Sequence, residues 1–382
     1  MRIALCHKRL DLRGGAERNL YVTAASLRDL GHEVHLFCGA FAVDAPAGTF
    51  AHRVPTAALG RAARLWSFAL AAPKIIARYD CDIVVNFGRM LRQDVLRSGG
   101  GTHRAFLEKL AREGGFGRRL WQSASVYHRS VLALERRQYS PGHFKRVIAV
   151  SGIVKQEIAA TYNVPEEKIT VLHNGVDCDR FNLSLRQRWR DWVRRQWGIP
   201  PAAPVVLFVG SGFRRKGLDR LLKVWERPGL EDAYLLIVGR DRLLPAYAAR
   251  VRKARGRVIF AGAQEQVERF YGAADTVALP SLQEAFGNVV LEALASGLPI
   301  VVSRSVGGAE VLAGGFADGI IENPDESVEL ERKIKIMLDR SRRPETALAA
   351  RRIAESHSWK NQVKKLEACL LELKRSNGAP VV

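Results

Sequence analysis

A chain of 382 residues, 47% hydrophobic and 26% charged, is long enough to form two globular domains that each bury a core. Its balance is strongly basic, 60 Lys and Arg against 39 Asp and Glu for a formal charge of +21, which favours a polyanionic partner without choosing between nucleic acid, anionic lipid and phosphorylated glycan. Five scattered cysteines (Cys6, Cys38, Cys81, Cys178, Cys369) with no C-x-x-C pair argue against a disulfide framework or a cysteine metal site, no apolar run approaches the ~18 residues of a membrane span, and Ile3 to Cys6 is too short for a signal peptide, so the expectation is a reducing compartment and at most a peripheral membrane contact.

Ile3 to Cys6 reads as a first strand. The loop Asp11 to Glu17 then feeds a helix with Leu20, Ala24 and Leu27 on one face, Gly31 stops it, and Val34 to Phe37 is the next strand. Glycines at a helix start, here Gly14 and Gly15 ahead of Glu17, let backbone approach a ligand closely, and the helix N-terminus favours an anion; a plain tight turn is the simpler account. The G-x-G-x-x-G dinucleotide fingerprint is missing, which leaves a nicotinamide site weakly supported. Residues 40–72 are Ala-rich and ambiguous. Ile83 to Phe87 is a buried strand, and Arg97 to His103 reads as a Gly-rich loop that ends on His103, a residue open to a structural or a chemical role. Residues 104–146 hold ten cations against Glu108, Glu113 and Glu135, with Phe106, Phe116, Trp121 and Tyr127 interleaved. That mixture suits an anionic bilayer surface, a nucleic acid backbone or simply a solvated basic helix.

Val147 to Ser151 and Ile169 to Leu172 are further strands, the second followed by the turn His173-Asn174-Gly175-Val176-Asp177. Residues 182–198 are charged and helical, and Pro200, Pro201 and Pro204 precede a second α/β series. Its first strand, Val205 to Val209, runs into Gly210-Ser211-Gly212-Phe213-Arg214-Arg215-Lys216-Gly217. A Gly-rich turn at a strand end with three cations in line suits a diphosphate: Lys216 brings a point charge and Arg215 a bidentate fork, with Arg214 competing for that place; a surface basic cluster is the plainer alternative. Leu235 to Val238 and Val258 to Gly262 are strands. Thr276 to Leu279 is another, broken by Pro280 and Ser281. A polar loop with Glu284 and Gly287 follows, then a short helix Val289 to Ala295 closed by Gly297 and Pro299. In open α/β sheets ligands sit at such carboxyl ends of strands. Phe286, Gly287, Asn288 and Val289 offer backbone N–H groups at the helix start, Glu284 can accept from sugar hydroxyls, and Glu292 from ribose hydroxyls. Alternatively, Glu292 only complements the helix dipole and Glu284 is solvated. Ile300 to Ser303 leads to Val306-Gly307-Gly308-Ala309-Glu310, and a helix of about Trp359 to Arg375 comes last.

The Pro280-to-Pro299 stretch resembles the nucleotide-sugar signature of retaining glycosyltransferases of the GT-B fold, family 4. Gly-Gly-Ala-Glu at residues 14–17, Asn-Gly-Val-Asp at 174–177 and the Lys216-Gly217 pair are similar to that family as well. The resemblance implies an α/β chain of two Rossmann-like doubly wound domains facing a central cleft. It implies an acceptor-binding domain over 1–175, onto which the C-terminal helix (about 359–382) packs back, and a nucleotide-sugar domain over 176–358. Gly14, Gly15 and Glu17 would face the donor sugar and phosphates, His103 would reach the transferred sugar, Lys216 and Arg215 would hold the diphosphate after Gly210, and Ala261 and Gln264 would border the base. The family loop at Glu310 is a residue longer, so Glu310 receives no contact. No Asp-x-Asp stands at a site position and the family generally works without a metal, so neither a metal nor another cofactor is expected beyond the sugar nucleotide as co-substrate. The basic segment is similar to one in lipopolysaccharide-core glucosyltransferases, which implies a peripheral protein on the cytoplasmic membrane face, UDP-glucose as donor and a phosphorylated or lipid-linked glycan as acceptor. GDP-mannose or another UDP-sugar fits the same residues. A nucleic-acid-binding protein remains the alternative of a different class, and a glycoside hydrolase would want the two carboxylates without the cation-lined loop.

Overall fold

The structure, a computed structural model, describes residues 1–12, 15–108, 125–251, 254, 256–312, 314–341 and 344–378. Gly14 and the 109–124 stretch of the basic, aromatic segment lie outside them. Two compact units divide the chain: Met1–Asn174 with the helix Trp359–Gly378, and Gly175–Ser358.

The first unit is built on a seven-stranded sheet in the order β3-β2-β1-β4-β5-β6-β7, every pair parallel. Its strands are β1 Arg2–His7, β2 Glu33–Cys38, β3 Phe50–Arg53, β4 Ile83–Asn86, β5 Val95–Ser98, β6 Arg146–Ala149 and β7 Ile169–Val171. Parallel strands covered on both faces read as continuous apolar runs, as β1 and β2 do. Leu20, Ala24 and Leu27 of the helix Gly15–Asp29 are fully buried against this sheet. The helix Trp359–Gly378 places Val363, Leu366, Leu370 and Leu373 in the same core. Polar ties fix its register: His32 Nε2 lies 2.7 Å from Glu367 Oε1, and Lys374 Nζ 3.0 Å from Asp82 Oδ1. Residues 40–72 resolve into the edge strand β3 and the start of a helix, Gly60–Ile76. The stretch read as a loop from Arg97 is corrected at its start. Arg97 and Ser98 belong to β5, paired with Ile148 and Ala149 of β6, so the Gly-rich loop begins at Gly99. Strand β6 likewise stops at Ala149, because Ser151 caps the helix Gly152–Tyr162 by accepting from Val154 N at 3.2 Å.

The second unit carries a six-stranded parallel sheet in the order β10-β9-β8-β11-β12-β13. The strands are β8 Val205–Val209, β9 Tyr234–Val238, β10 Arg257–Gly262, β11 Thr276–Leu279, β12 Ile300–Ser303 and β13 Ile320–Ile321. All five residues of β8 are buried, and each large apolar side chain so removed from water contributes roughly 1.5–3 kcal/mol before chain entropy is subtracted. The charged helix Ser184–Gln196 is held at the start of this sheet by one acid. Asp275 accepts from Arg190 Nη1 at 2.9 Å, Arg194 Nη2 at 2.9 Å and the Val205 backbone N–H at 2.9 Å. Arg194 is 1% exposed and also donates to the carbonyls of Ala273, Pro200, Pro201 and Ala203. Burial alone would raise the Asp275 carboxyl, but Arg190 and Arg194 outweigh it and hold the group below the usual range.

Both sheets have a switch point where the order reverses, between β1 and β4 in the first and between β8 and β11 in the second. The loops leaving these strands at their carboxyl ends are where an open α/β sheet takes a ligand.

Candidate active site

In the second unit, the loops after β8 and β11 bring three of the expected residues into contact. Lys216 Nζ lies 3.2 Å from Glu284 Oε1, and Arg215 Nη1 donates to the same oxygen. Lys216 is 9% exposed and ends the one-turn helix Phe213–Lys216. Its side chain lies across Gly210, whose φ is +144°. A Cβ there would collide with Lys216 Cδ and Cε, so only glycine lets the ammonium reach its place. Gly217, at φ +87°, is needed for the same reason, because a Cβ would run into the carbonyl of Pro280. Ser281 Oγ donates to Lys216 O at 3.4 Å and Leu282 N to Arg215 O at 3.2 Å, which ties the two loops together. Asp241, after β9, accepts from Phe213 N at 2.7 Å and so sets the start of the cationic turn. Arg214 takes another course: it is an electrostatic neighbour of Tyr247.

Past Glu284 the backbone is stitched to the loop after β12. Gly307 N donates to Glu284 O at 3.0 Å and Gly308 N to Phe286 O at 2.6 Å, and Glu284 forms an isolated parallel bridge with Val306. Phe286, Gly287 and Asn288 lead into the helix Val289–Ala295, whose N-cap Asn288 makes no side-chain cap hydrogen bond. The amides of a helix's first turn have no partner within the helix. Glu292 is fixed by Tyr271, whose hydroxyl donates to its Oε2 at 2.6 Å. Tyr271 is 1% exposed, and burial first, then the Glu292 charge, push its phenol well above the ordinary range, so it remains a donor. At the end of β10, Gln264 Nε2 donates to Ala261 O at 2.6 Å, so this expected pair is in mutual contact.

Sequence reasoning missed Tyr271 and Asp241. Tyr271 lies 21 residues from its partner, with no local pattern to announce the contact. Asp241 had a local signal, since an Asp that also accepts from its own i+2 amide, here Leu243 N at 2.8 Å, is an Asx-turn in a strand-end loop.

In the first unit, a cavity of about 560 Å³ opens at the switch point of the sheet. It is lined by His7 at the end of β1 and Lys8 after it, by Gly88 and Arg89 after β4, and by the Gly99–Gly101 loop, Thr102 and His103 after β5. Glu17, in the first turn of the helix Gly15–Asp29, also faces it. Glu135, from the helix Val126–Gln138, positions His103: its two oxygens each accept from His103 N at 2.9 Å, and Oε2 also accepts from Tyr162 Oη at 2.7 Å. The His103 ring stacks on Phe106 and its Nε2 lies 3.0 Å from His128 Nδ1. Burial, then Arg89 and His128, lower its pKa to about 4. His103 is therefore neutral at ordinary pH and able to donate or accept one hydrogen bond.

This lowering has a consequence for stability. The unfolded chain takes up a proton at the usual histidine value near 6.5, while the fold resists it until about 4, so stability is full above 6.5 and is lost as pH falls through that window. His7, His52 and His128 are lowered too, each chiefly by burial, and add in the same direction. Urea titrations at pH 7 and pH 5 are expected to show the wild type losing about 1–2 kcal/mol more than His103→Gln. An equal loss in both proteins would refute the assignment.

The candidate residues thus form two sets, one in each unit: Glu17 and His103 about the first cavity, with Gly15 at the adjoining helix start, and Gly210, Arg215, Lys216, Ala261, Gln264, Glu284, Phe286, Gly287, Asn288, Val289 and Glu292 in the second. Among the described residues no three His, Cys, Asp or Glu side chains come together in a way that could hold a metal ion, and no helix is long and apolar enough to cross a membrane.

Residues 13–180 match the family model for Glycosyltransferase Family 4, and residues 190–357 that for Glycosyl transferases group 1. The chain is 26% identical over 346 residues to the lipopolysaccharide glucosyltransferase WaaG of Escherichia coli K12, covering 89% of this chain and 90% of that protein. It is 36% identical over 194 residues to the uncharacterized glycosyltransferase MJ1607 of Methanocaldococcus jannaschii, covering 47% of this chain and 48% of the other. The crystal structure of WaaG superimposes with a TM-score of 0.76 at 25% identity, covering 96% of this chain and 99% of that one. Anabaena HepE, solved in complex with UDP, has the same fold, with a TM-score of 0.66 at 18% identity over 97% of this chain and 100% of its own.

Proposed function

The chain belongs to the glycosyltransferases of family 4 and group 1, with the two Rossmann-like domains of the GT-B fold, and from that premise we propose that it transfers a hexose, with retention, from a nucleoside diphosphate sugar to a glycan hydroxyl. The observation that carries this reading is the cluster of Lys216, Arg215 and Glu284 at the switch point of the second sheet. Two cations share one carboxylate there. When a diphosphate arrives, its oxygens take over the two cations, and Glu284 is released toward the hydroxyls of the sugar. Glu292, aimed by Tyr271, accepts from the ribose, the helix-start amides of Phe286 to Val289 serve the phosphate and sugar, and Ala261 and Gln264 border the base.

In the reaction the acceptor hydroxyl oxygen bonds to the anomeric carbon on the face that the phosphate leaves. The bond from that carbon to the phosphate oxygen breaks, and the hydroxyl proton passes to the departing phosphate. Lys216, Arg215 and the amides stabilise the negative charge that gathers on the diphosphate, which is catalysis by fixed dipoles and charges with no metal required. UDP-glucose is the proposed donor and a lipopolysaccharide-core or other lipid-linked, phosphorylated glycan the proposed acceptor. Support comes from the similarity to WaaG and from the +21 balance. Attachment to an anionic membrane face through 104–146 fits the described flanks, where Phe106, Val126, Arg129, Arg136 and Arg137 are all exposed.

The test is a panel of UDP- and GDP-sugars, with chelator present, following release of nucleoside diphosphate by wild type and by Glu284→Ala. One sugar nucleotide is expected to be turned over by the wild type, at a rate about 10²-fold lower in the variant. Because Glu284 competes with phosphate for two cations, the variant is expected to bind bare UDP several-fold tighter, about 1 kcal/mol. A protein that ignores every sugar nucleotide, yet binds nucleic acid with steep salt dependence, would replace this reading with a nucleic-acid function.

A further inference from the structure

The first unit holds two arginines whose donors its own groups leave partly unsatisfied. Arg97, on β5, is 6% exposed and lines the cavity at the switch point. Among the described residues it donates from Nη2 to Asn174 Oδ1 at 3.1 Å and lies over the Phe87 ring at 5.8 Å. No carboxylate among the described residues pairs with it, and burial alone lowers its pKa to about 10. Arg89, on the same cavity, has a buried Nε with no hydrogen-bond partner, and its Nη2 stays 3.7 Å from Glu135 Oε1. Glu135 is already engaged by His103 N and Tyr162 Oη. Lys8, Arg61, Arg64 and Arg9, the last paired with Asp11 at 3.1 Å, also line the cavity, against Glu17 and Glu135. A buried guanidinium without a counter-charge is costly unless an anion completes it, and a guanidinium fork matches phosphate oxygens in pairs.

We propose that Arg97 and Arg89 form a subsite in the first-unit cavity for a phosphate monoester carried by the sugar acceptor. The inference deepens the transferase reading and rests on it for the word acceptor, while the anion site itself stands on the two arginines. A phosphate there has its oxygens on the unsatisfied donors and its sugar toward His103, which lines the same cavity. The subsite selects a phosphorylated sugar over its unphosphorylated form, because without the phosphate the Arg97 charge stays buried and unmatched.

The experiment is calorimetric titration of the full chain with inorganic phosphate, glucose 6-phosphate and UDP, for wild type, Arg97→Gln and Arg89→Gln. Vesicles containing phosphatidylglycerol form a separate sedimentation arm. Wild type is expected to bind both phosphates together with UDP. Each variant is expected to lose phosphate affinity by 10-fold or more, with UDP affinity and vesicle binding kept. Equal phosphate affinity in wild type and Arg97→Gln, or displacement of phosphate by UDP, overturns the proposal. An effect of the variants confined to the vesicle arm assigns the arginines to a lipid headgroup and overturns it too. If Arg97→Gln also loses UDP, its fold is damaged and Arg89→Gln decides: unchanged phosphate binding in that variant overturns the proposal. Binding of phosphate by a chain that does not bind UDP removes the donor reading and leaves the anion site, and the reverse result removes only the anion site.

Discussion

Lys216→Ala is expected to lower turnover of the sugar nucleotide about 10²–10³-fold, equivalent to roughly 2.7–4 kcal/mol of transition-state stabilisation, with a smaller change in KM. The ammonium is nearly buried, held against Glu284, and set at the carboxyl end of β8 where the diphosphate charge would gather. An interaction that strengthens as charge develops on a leaving group falls mainly on kcat. Gly210→Ala is expected to reproduce much of the loss without touching a charge, since the new Cβ would take the space of the Lys216 methylenes. Lys216→Arg is not expected to rescue, because a planar guanidinium does not fit the slot over Gly210 that the straight chain fills. Steady-state kinetics on the three variants check this. A Lys216→Ala enzyme with kcat within a few-fold of wild type would remove Lys216 from the chemistry.

Asp275→Asn is expected to destabilise the second unit by about 3–5 kcal/mol, because it leaves Arg194 buried without its counter-charge. For a unit of this size that corresponds to a fall of roughly 6–20 °C in Tm. The Asp275 carboxyl is held below its ordinary value of 3.8, so its contribution is present above that pH and is lost as the pH falls through its folded value. Acid therefore narrows the gap between the wild type and Asp275→Asn. Thermal melts at pH 7 and pH 3 measure both effects, and a change below about 1 kcal/mol at pH 7 would show that the arginines find other partners.

How far these features are legible in sequence depends on how local they are. Thr276–Leu279 and Val289–Ala295 appear with the bounds their residues imply, because an apolar run, Pro280 and Gly297 are strong signals over short distance. Strand β5 was not legible in the sequence. Arg97 and Ser98 ahead of three glycines look like a loop, and only pairing with β6 makes them extended. Strand β3 is a four-residue edge strand with no fully buried position, so it has no alternation to detect. At the candidate site, glycines and cations near 210–217 advertised a phosphate loop, but the carboxylate that Arg215 meets comes from 69 residues away. Sequence put Arg215 forward with Arg214 in competition, and the turn Phe213–Lys216 brings Arg215 to Glu284. The neutral state of His103 and the missing partner of Arg89 Nε depend on packing that spacing does not encode.

The division of the chain also has a consequence at the ribosome. The second unit is one continuous stretch, Gly175–Ser358, while the first needs the helix Trp359–Gly378 to supply Val363, Leu366, Leu370 and Leu373. The portion made first is therefore the last to complete its core. At about 5–20 residues per second, its nascent sheet waits roughly 10–40 s with the surface meant for that helix uncovered. The early-made half thus carries exposed apolar surface for the longest time during synthesis, and a stop codon that removes the helix Trp359–Gly378 leaves that surface uncovered for good.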